Sequence, residues 1–325
     1  MRTSQQHQLG QNQSGQNHLP TAQPPLPNCF IIGAPKCGTT SLYEFLCMHP
    51  EVCFSHPKEP LFWATDFPGA NSLSIRPVKT QQEYLGLFKS KDLRSKRIIA
   101  EASTCYLMSE TAVGNILNFN PAAKFIAMLR NPVELVQAWH NELVYNGLEP
   151  ETDFHTAWML QQSRQNGQCL PKVCPVPEFL QYGRVGRLGE QIQRVKQLVP
   201  SDQLLLIHSR NLRNDAEHEC RRVLEFLGLS APDRLEFPTA NASKRMRFRF
   251  LATLFFHPPA ILEKPTKWLR RGFGAFPKPL RAIIDQAIRP RNKKSNLEPS
   301  FSSELNAYFA EDLRLLNEIA EHDFR

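Results

Sequence analysis

The chain has little of what would place it in a membrane or around a metal. None of its 325 residues fall in an apolar run of the ~20 that a spanning helix needs. The opening stretch, Met1 to Asn28, has no apolar core of the kind a secretory leader carries. The eight cysteines form no Cys-x-x-Cys pair and no Cys/His box with metal-ligand spacing. These absences argue against a secreted precursor and a signal-anchored enzyme, and they predict a cytoplasmic protein with reduced thiols. Cys169 and Cys174, five apart in a Pro-rich loop, have the spacing of a small disulfide, which a reducing compartment disfavours. Glycine is sparse, with 15 residues against 26 prolines, so its loops are punctuated mainly by proline.

What is present is ordinary for a globular chain with a sizeable core: 41% hydrophobic and 22% charged residues. The net charge of +8 is unevenly placed. Fourteen of the 39 Lys and Arg lie between Lys244 and Lys294, with only Glu263 and Asp285 against them. A near-neutral body thus carries a basic, helical late part from about residue 244. Such a segment suits a polyanion, an anionic membrane surface or an anionic cofactor, or is simply a solvated basic face. Its Phe250–Phe256 run, followed by the Lys264–Arg271 cluster, fits a peripheral membrane contact or a core helix with a basic outer side, and the core reading is preferred.

Residues 1 to 27 are rich in Gln, Asn, Ser and Pro and read as a disordered tail. Residues 28 to 325 then read as a single domain. Strands are expected at Cys29–Ile32, Arg97–Glu101, Lys124–Leu129 and Leu204–Ile207. Helices are expected from Thr39, over Ser109–Leu117, from Asn131-Pro132 to about Tyr145, and around Leu188–Val195. One more ends at Leu227-Gly228, and a last amphipathic one carries Leu305, Tyr308, Phe309, Leu316 and Ile319. The gap between the second and third strands fits a crossover helix and hence parallel pairing of the two. Strands alternating with helices define an α/β fold, here a P-loop-like three-layer sandwich with a central parallel sheet flanked by helices.

The strongest local signal is Gly33-Ala34-Pro35-Lys36-Cys37-Gly38-Thr39-Thr40-Ser41, between the first strand and the first helix. Glycines let the backbone approach an anion, and the new helix offers free N–H groups, its positive dipole end and hydroxyl donors. The Gly33-to-Gly38 spacing matches a Walker A loop, but Thr39 stands where that loop's lysine belongs. The loop lysine is Lys36 instead. That displacement argues against γ-phosphoryl transfer and leaves anion binding intact.

The stretch Pro35 to Ser41 resembles the 5′-phosphosulfate loop of sulfotransferases that use 3′-phosphoadenosine 5′-phosphosulfate (PAPS). Arg130-Asn131-Pro132-Val133-Glu134 resembles the start of their 3′-phosphate motif. Lys58-Glu59-Pro60-Leu61-Phe62-Trp63 is similar to a segment of the heparan-sulfate and bacterial branches. So are Glu101-Ala102-Ser103, Tyr182 to Gln191, Glu225 to Gly228 and Asn241 to Arg245. The resemblance covers about residues 29 to 260.

That resemblance implies a PAPS-dependent sulfotransferase that moves a sulfuryl group to a hydroxyl or amine, with no metal. Lys36 would face the phosphosulfate bridge. Cys37, Gly38, Thr39, Thr40 and Ser41 would hold the 5′-phosphate, and Arg130 the 3′-phosphate. Glu59 is the first candidate base and His140 the alternative, with Lys58 orienting Glu59 or the leaving oxygen. Glu101 and Ser103 are expected to line the acceptor cleft. The family's serine eight residues after the arginine is replaced by Ala138. That change reads as weaker binding, as compensation by Lys244, Arg245 and their neighbours, or as a degenerate paralogue, and compensation is favoured. The expected acceptor is a small metabolite, lipid or glycan, and nucleic acid is not an expected partner. Two other readings stay open: a P-loop small-molecule kinase with Glu101 holding its metal, and a non-catalytic binder of polyanions or membrane surfaces.

Overall fold

The computed structural model describes residues 25–74, 76–88, 93–232, 235 and 297–320. Most of the Gln/Asn-rich tail, the basic late segment with its Phe250–Phe256 run, and Lys244 and Arg245 lie outside the described residues.

Among the described residues five strands are present: β1 (Cys29–Gly33), β2 (Val52–Phe54), β3 (Ile98–Ala102), β4 (Lys124–Leu129) and β5 (Leu204–His208). They form one sheet in the order β2-β3-β1-β4-β5, with every pairing parallel. Such a sheet is covered on both faces, which is why β1 reads as an unbroken apolar run and is buried at every residue. The expected pairing of the second and third predicted strands does not occur. β3 and β4 are parallel, but β1 lies between them, hydrogen-bonded to both (Cys29 opposite Ala100 on one side and Lys124 on the other). The sequence pattern also misses β2, whose three residues are too few to show a period.

Helices α1 (Thr39–Cys47), α2 (Gln81–Leu85), α3 (Ala112–Phe119), α4 (Pro132–Tyr145), α5 (Phe154–Met159) and α6 (Gln161–Gln165) follow the first four strands. Then come α7 (Tyr182–Gly186), α8 (Leu188–Leu198), α9 (Ser209–Asn214), α10 (Ala216–Leu227) and α11 (Pro299–Ala320). α11 packs on α8 and α4, while α9 and α10 pack against β5. Asn131 caps α4 as its sequence predicts, its side chain accepting from Val133 and Glu134 N–H at 3.0 and 3.2 Å. Such a cap contributes about 1 kcal/mol. No described helix is long and apolar enough to cross a membrane. All eight cysteines are free thiols; Cys174 is buried with its Sγ on the Val176 carbonyl, while Cys169 is exposed.

The chain runs from β1 to the far edge, returns through β3, and crosses to β4 on the opposite side. The carboxyl end of β1 is therefore a topological switch point, where the loops on its two sides diverge and leave a crevice. At that end Gly33 is required. A Cβ there would lie 2.7 Å from the Thr104 carbonyl oxygen, at a φ of +153°.

Candidate active site

The loop after β1 enters α1 through Gly38 at φ +93°, a left-handed conformation that glycine adopts without penalty. Gly38 has no side chain to cap α1, in contrast to Asn131 on α4, so the Thr39 and Thr40 N–H groups have no side-chain acceptor, while Ser41 N–H donates to the Gly38 carbonyl at 3.0 Å. Exposure alternates along the loop: Lys36, Gly38 and Thr40 face solvent, while Cys37 and Thr39 are buried. Cys37 thus offers an anion only its backbone. Its Sγ donates inward to the Pro35 carbonyl at 3.4 Å, and burial pushes the thiol up to about 12.

Lys36 stands at φ +60° and pairs with Glu142 on α4, Nζ to Oε2 at 2.9 Å. Arg130, at the end of β4, donates Nη1 to the Lys36 carbonyl at 3.3 Å. Its Nε and Nη2 grip Glu134 at 2.8 and 2.7 Å. Glu134, Ala138 and Glu142 are spaced four apart and so share one face of α4. The two cations expected to meet phosphates are therefore held by two carboxylates of one helix, with Ala138 midway. The sequence reading missed both carboxylates; the i, i+4, i+8 spacing was the available signal.

The segment 58–63 approaches from the other side of β1. Lys58 Nζ lies 3.3 Å from Thr40 Oγ1 and 3.5 Å from Glu59 Oε1, and 5.6 Å from the centre of the Tyr43 ring. Glu59 adopts φ +58°, and its Oε2 accepts from Thr104 Oγ1 at 3.3 Å. The structure thus brings together the loop, Lys36, Arg130, Lys58 and Glu59 at the carboxyl edge of the sheet.

Three expected residues are placed otherwise. His140 is 2% exposed, packed against Phe154 and Tyr182, with Nε2 on the Glu151 carbonyl at 3.0 Å. Burial holds its imidazole below the ordinary value, and no acceptor can reach it. Its place on the inner face of α4 beside Trp139 makes it a core residue. Glu101 and Ser103 do not line an open cleft either, because both are fully buried behind the 58–63 segment. Glu101 accepts from Tyr84 OH at 2.5 Å and from Ser103 Oγ at 2.7 Å. Its oxygens are thus engaged by hydroxyl groups, which removes the residue the kinase reading needed for a metal.

A glycine-bearing loop on a switch-point strand, an uncapped helix start and converging cations are the features with which an α/β protein can hold an anion. A family model described as "Sulfotransferase domain" matches residues 26–248, and the chain belongs to that family. It is 26% identical over 226 residues to "Bifunctional heparan sulfate N-deacetylase/N-sulfotransferase 2" of Homo sapiens, across 69% of this chain and 23% of that protein. Over 144 residues it is 35% identical to "Carbohydrate sulfotransferase 15" of Mus musculus, 34% of this chain and 26% of that protein. The chain therefore spans about a quarter of the length of these curated relatives. A sulfotransferase from Alicyclobacillus acidocaldarius superposes with a TM-score of 0.65 over 92% of this chain and 97% of that one, at 22% identity, so it shares the fold.

Proposed function

We propose that this sulfotransferase domain moves a sulfuryl group from PAPS to a hydroxyl or amine, with a glycan as the first acceptor class to try. The observation that carries the proposal is Lys58, whose Nζ joins the loop hydroxyl of Thr40 to the carboxylate of Glu59. That contact unites, in one site, an anion cradle and a base from separate segments of the chain. The residues present fit such a donor. The uncapped Thr39 and Thr40 amides of α1, with the Thr40 hydroxyl, suit the 5′-phosphate, and Arg130 suits the 3′-phosphate. That its relatives are heparan sulfate and carbohydrate sulfotransferases by name supports a glycan acceptor.

Sulfuryl transfer needs an in-line nucleophile, a proton acceptor and neutralisation of the oxygen left on the 5′-phosphate. In this reading Glu59 takes the proton as the acceptor's oxygen or nitrogen bonds to sulfur. Lys36 and Lys58 counter the charge that builds on the departing phosphate oxygen as its bond to sulfur breaks. The Thr104 hydroxyl and the Lys58 ammonium hold the two Glu59 oxygens in place. His140 takes no part.

The test is a screen with radiolabelled PAPS against hydroxylated metabolites, lipids, and desulfated glycans, beside titration with adenosine 3′,5′-bisphosphate with and without magnesium. Tight magnesium-independent binding and label transfer to one acceptor class support the reading. Magnesium-dependent ATP binding without bisphosphate binding would return the kinase.

A further inference from the structure

Three alternate amides of the base segment are held from behind by β3 and the residues after it. Glu59 N–H donates to the Ala102 carbonyl at 3.1 Å, Leu61 N–H to Ser103 Oγ at 3.2 Å, and Trp63 N–H to Tyr106 OH at 3.2 Å. Two of the three acceptors are hydroxyls, which can donate or accept as their surroundings dictate. Here the surroundings are Glu101. Its carboxylate takes the Ser103 proton at 2.7 Å and the Tyr84 proton at 2.5 Å, and it is hydrogen-bonded to Tyr106 as well. A hydroxyl that gives its proton to a carboxylate presents its lone pairs elsewhere. In this cluster those lone pairs meet the Leu61 and Trp63 amides. Glu101, Ser103, Tyr84 and Tyr106 are each fully buried, so water cannot substitute for any member.

The segment needs this support, because Glu59 and Leu61 both sit in the left-handed region, at φ +58° and +56°. Side chains other than glycine persist there only when the surroundings over-determine the backbone. The first-turn helix contacts that stabilise the phosphate loop have no counterpart here, since residues 58–63 belong to no helix or strand.

We infer that Glu101 is a positioning residue for the transfer reaction: by fixing Ser103 and Tyr106 as acceptors it holds the left-handed backbone that aims Glu59. The inference rests on the proposed function for its kinetic meaning, while its structural part stands by itself. The substitution Glu101→Gln keeps size but turns one oxygen into a donor, which competes with the amides for the same hydroxyl lone pairs. Ser103→Ala removes the link to Leu61 and leaves the carboxylate. Tyr84→Phe removes a hydroxyl of the same carboxylate on the side away from the Leu61 amide, and serves as the control.

Hydrogen exchange read by mass spectrometry on the full chain at pH 8, where Glu101 is the carboxylate that accepts these protons, tests the structural part. Exchange in 58–63 should accelerate at least tenfold in Glu101→Gln and Ser103→Ala, with 38–47 unchanged and Tyr84→Phe within twofold of the parent chain. Release of labelled sulfate from PAPS, with water or the acceptor found in the screen, should fall at least tenfold in the first two variants only. The Kd for adenosine 3′,5′-bisphosphate should stay within twofold throughout. Unchanged exchange in 58–63 overturns the inference, as does acceleration spread over the whole chain in step with a lower Tm. Accelerated exchange with undiminished sulfate release also overturns it. A parent chain that binds no bisphosphate would instead sink the proposed function, and the exchange data would still decide what Glu101 holds.

Discussion

The phosphate loop, residues 33–41, and the base segment, residues 58–63, meet at Lys58 and Thr40 but are built in opposite ways. Each puts its key charged residue in the left-handed region, Lys36 at φ +60° and Glu59 at +58°. The loop is framed by its neighbours in sequence, β1 before and α1 after, with Gly33 and Gly38 taking its other unusual dihedrals. The base segment has no regular element of its own and rests on groups about forty residues away, Ala102, Ser103, Thr104 and Tyr106. One half of the site takes its shape mainly from its neighbours in sequence, with Lys36 tied across to Glu142 and Arg130, and the other is wholly tertiary. Damage to the first should spare the fold, whereas damage behind the second should be felt in stability and geometry alike.

The largest effect is expected at Lys36. Lys36→Ala should lower transfer by a thousandfold or more, on the order of 4 kcal/mol, because it removes a cation aimed at charge that develops in the transition state. The Lys36–Glu142 pair is about one-third exposed on both sides, so its loss should cost stability ~1 kcal/mol or less. Single-turnover rates and thermal melts check the two halves. Near-normal transfer would detach the loop from the chemistry.

Next comes Glu59→Gln, which should slow transfer by ~10²–10⁴-fold, the range for losing a general base, while leaving nucleotide affinity unchanged. A parallel loss of affinity would show that the residue shapes the donor site and does not accept a proton.

The third effect falls on stability and belongs to the tertiary half. Burial raises the Glu101 carboxyl from 4.5 to about 7. The folded chain therefore keeps this proton over a range where the unfolded chain has released it. Stability from this group is full below pH 4.5 and is lost as pH rises to about 7, beyond which it is flat. The span corresponds to about 3 kcal/mol. Parent minus Glu101→Gln, from urea unfolding at pH 5 and 7.5, should show the parent favoured more at pH 5. His140, held below its ordinary value by burial, acts with the opposite sign in an overlapping window, so only this difference isolates Glu101. A difference independent of pH would mean that Glu101 titrates alike in both states.

The same contrast explains what the sequence made legible. The strand–loop–helix run from Cys29 to Cys47, the Asn131-Pro132 start of α4 and the left-handed Gly228 at the end of α10 all rest on neighbours in the chain, and each stands where expected. Central placement of β1 was not legible, because strand order depends on which surfaces compete for coverage, and no single segment records that. His140 misled for a related reason. Its helix was right, but the ring's direction depends on Phe154 and Tyr182, which arrive from later elements. Glu101 and Ser103 were placed correctly at a strand end and wrongly in the open, since the covering segment of residues 58–63 has no period to announce it.

The smallest effect is expected at Ala138, and it sharpens the comparison on the local side. Ala138 lies one turn from both Glu134 and Glu142, which already hold Arg130 and Lys36. A phosphate reaching Arg130 must displace or share it with Glu134, whatever stands at 138. A serine there adds one hydroxyl donating to an anion, but the carboxylates of Glu134 and Glu142 one turn to either side repel that anion, so the gain is a fraction of the ~1.5–3 kcal/mol of a hydrogen bond to a charged group. Ala138→Ser should thus tighten adenosine 3′,5′-bisphosphate no more than about fivefold, under ~1 kcal/mol. Arg130→Ala should weaken the same ligand by at least tenfold. Adenosine 5′-phosphosulfate, which lacks the 3′-phosphate, should be indifferent to Ala138→Ser and lose less than the bisphosphate with Arg130→Ala, through the lost brace on the Lys36 carbonyl. Titrations at one salt concentration keep screening equal for every cation. Equal losses for both nucleotides would show that Arg130 braces the loop and does not read the 3′-phosphate. A gain of a hundredfold from Ala138→Ser would mean that the alanine cripples the site and that the two carboxylates yield easily to phosphate.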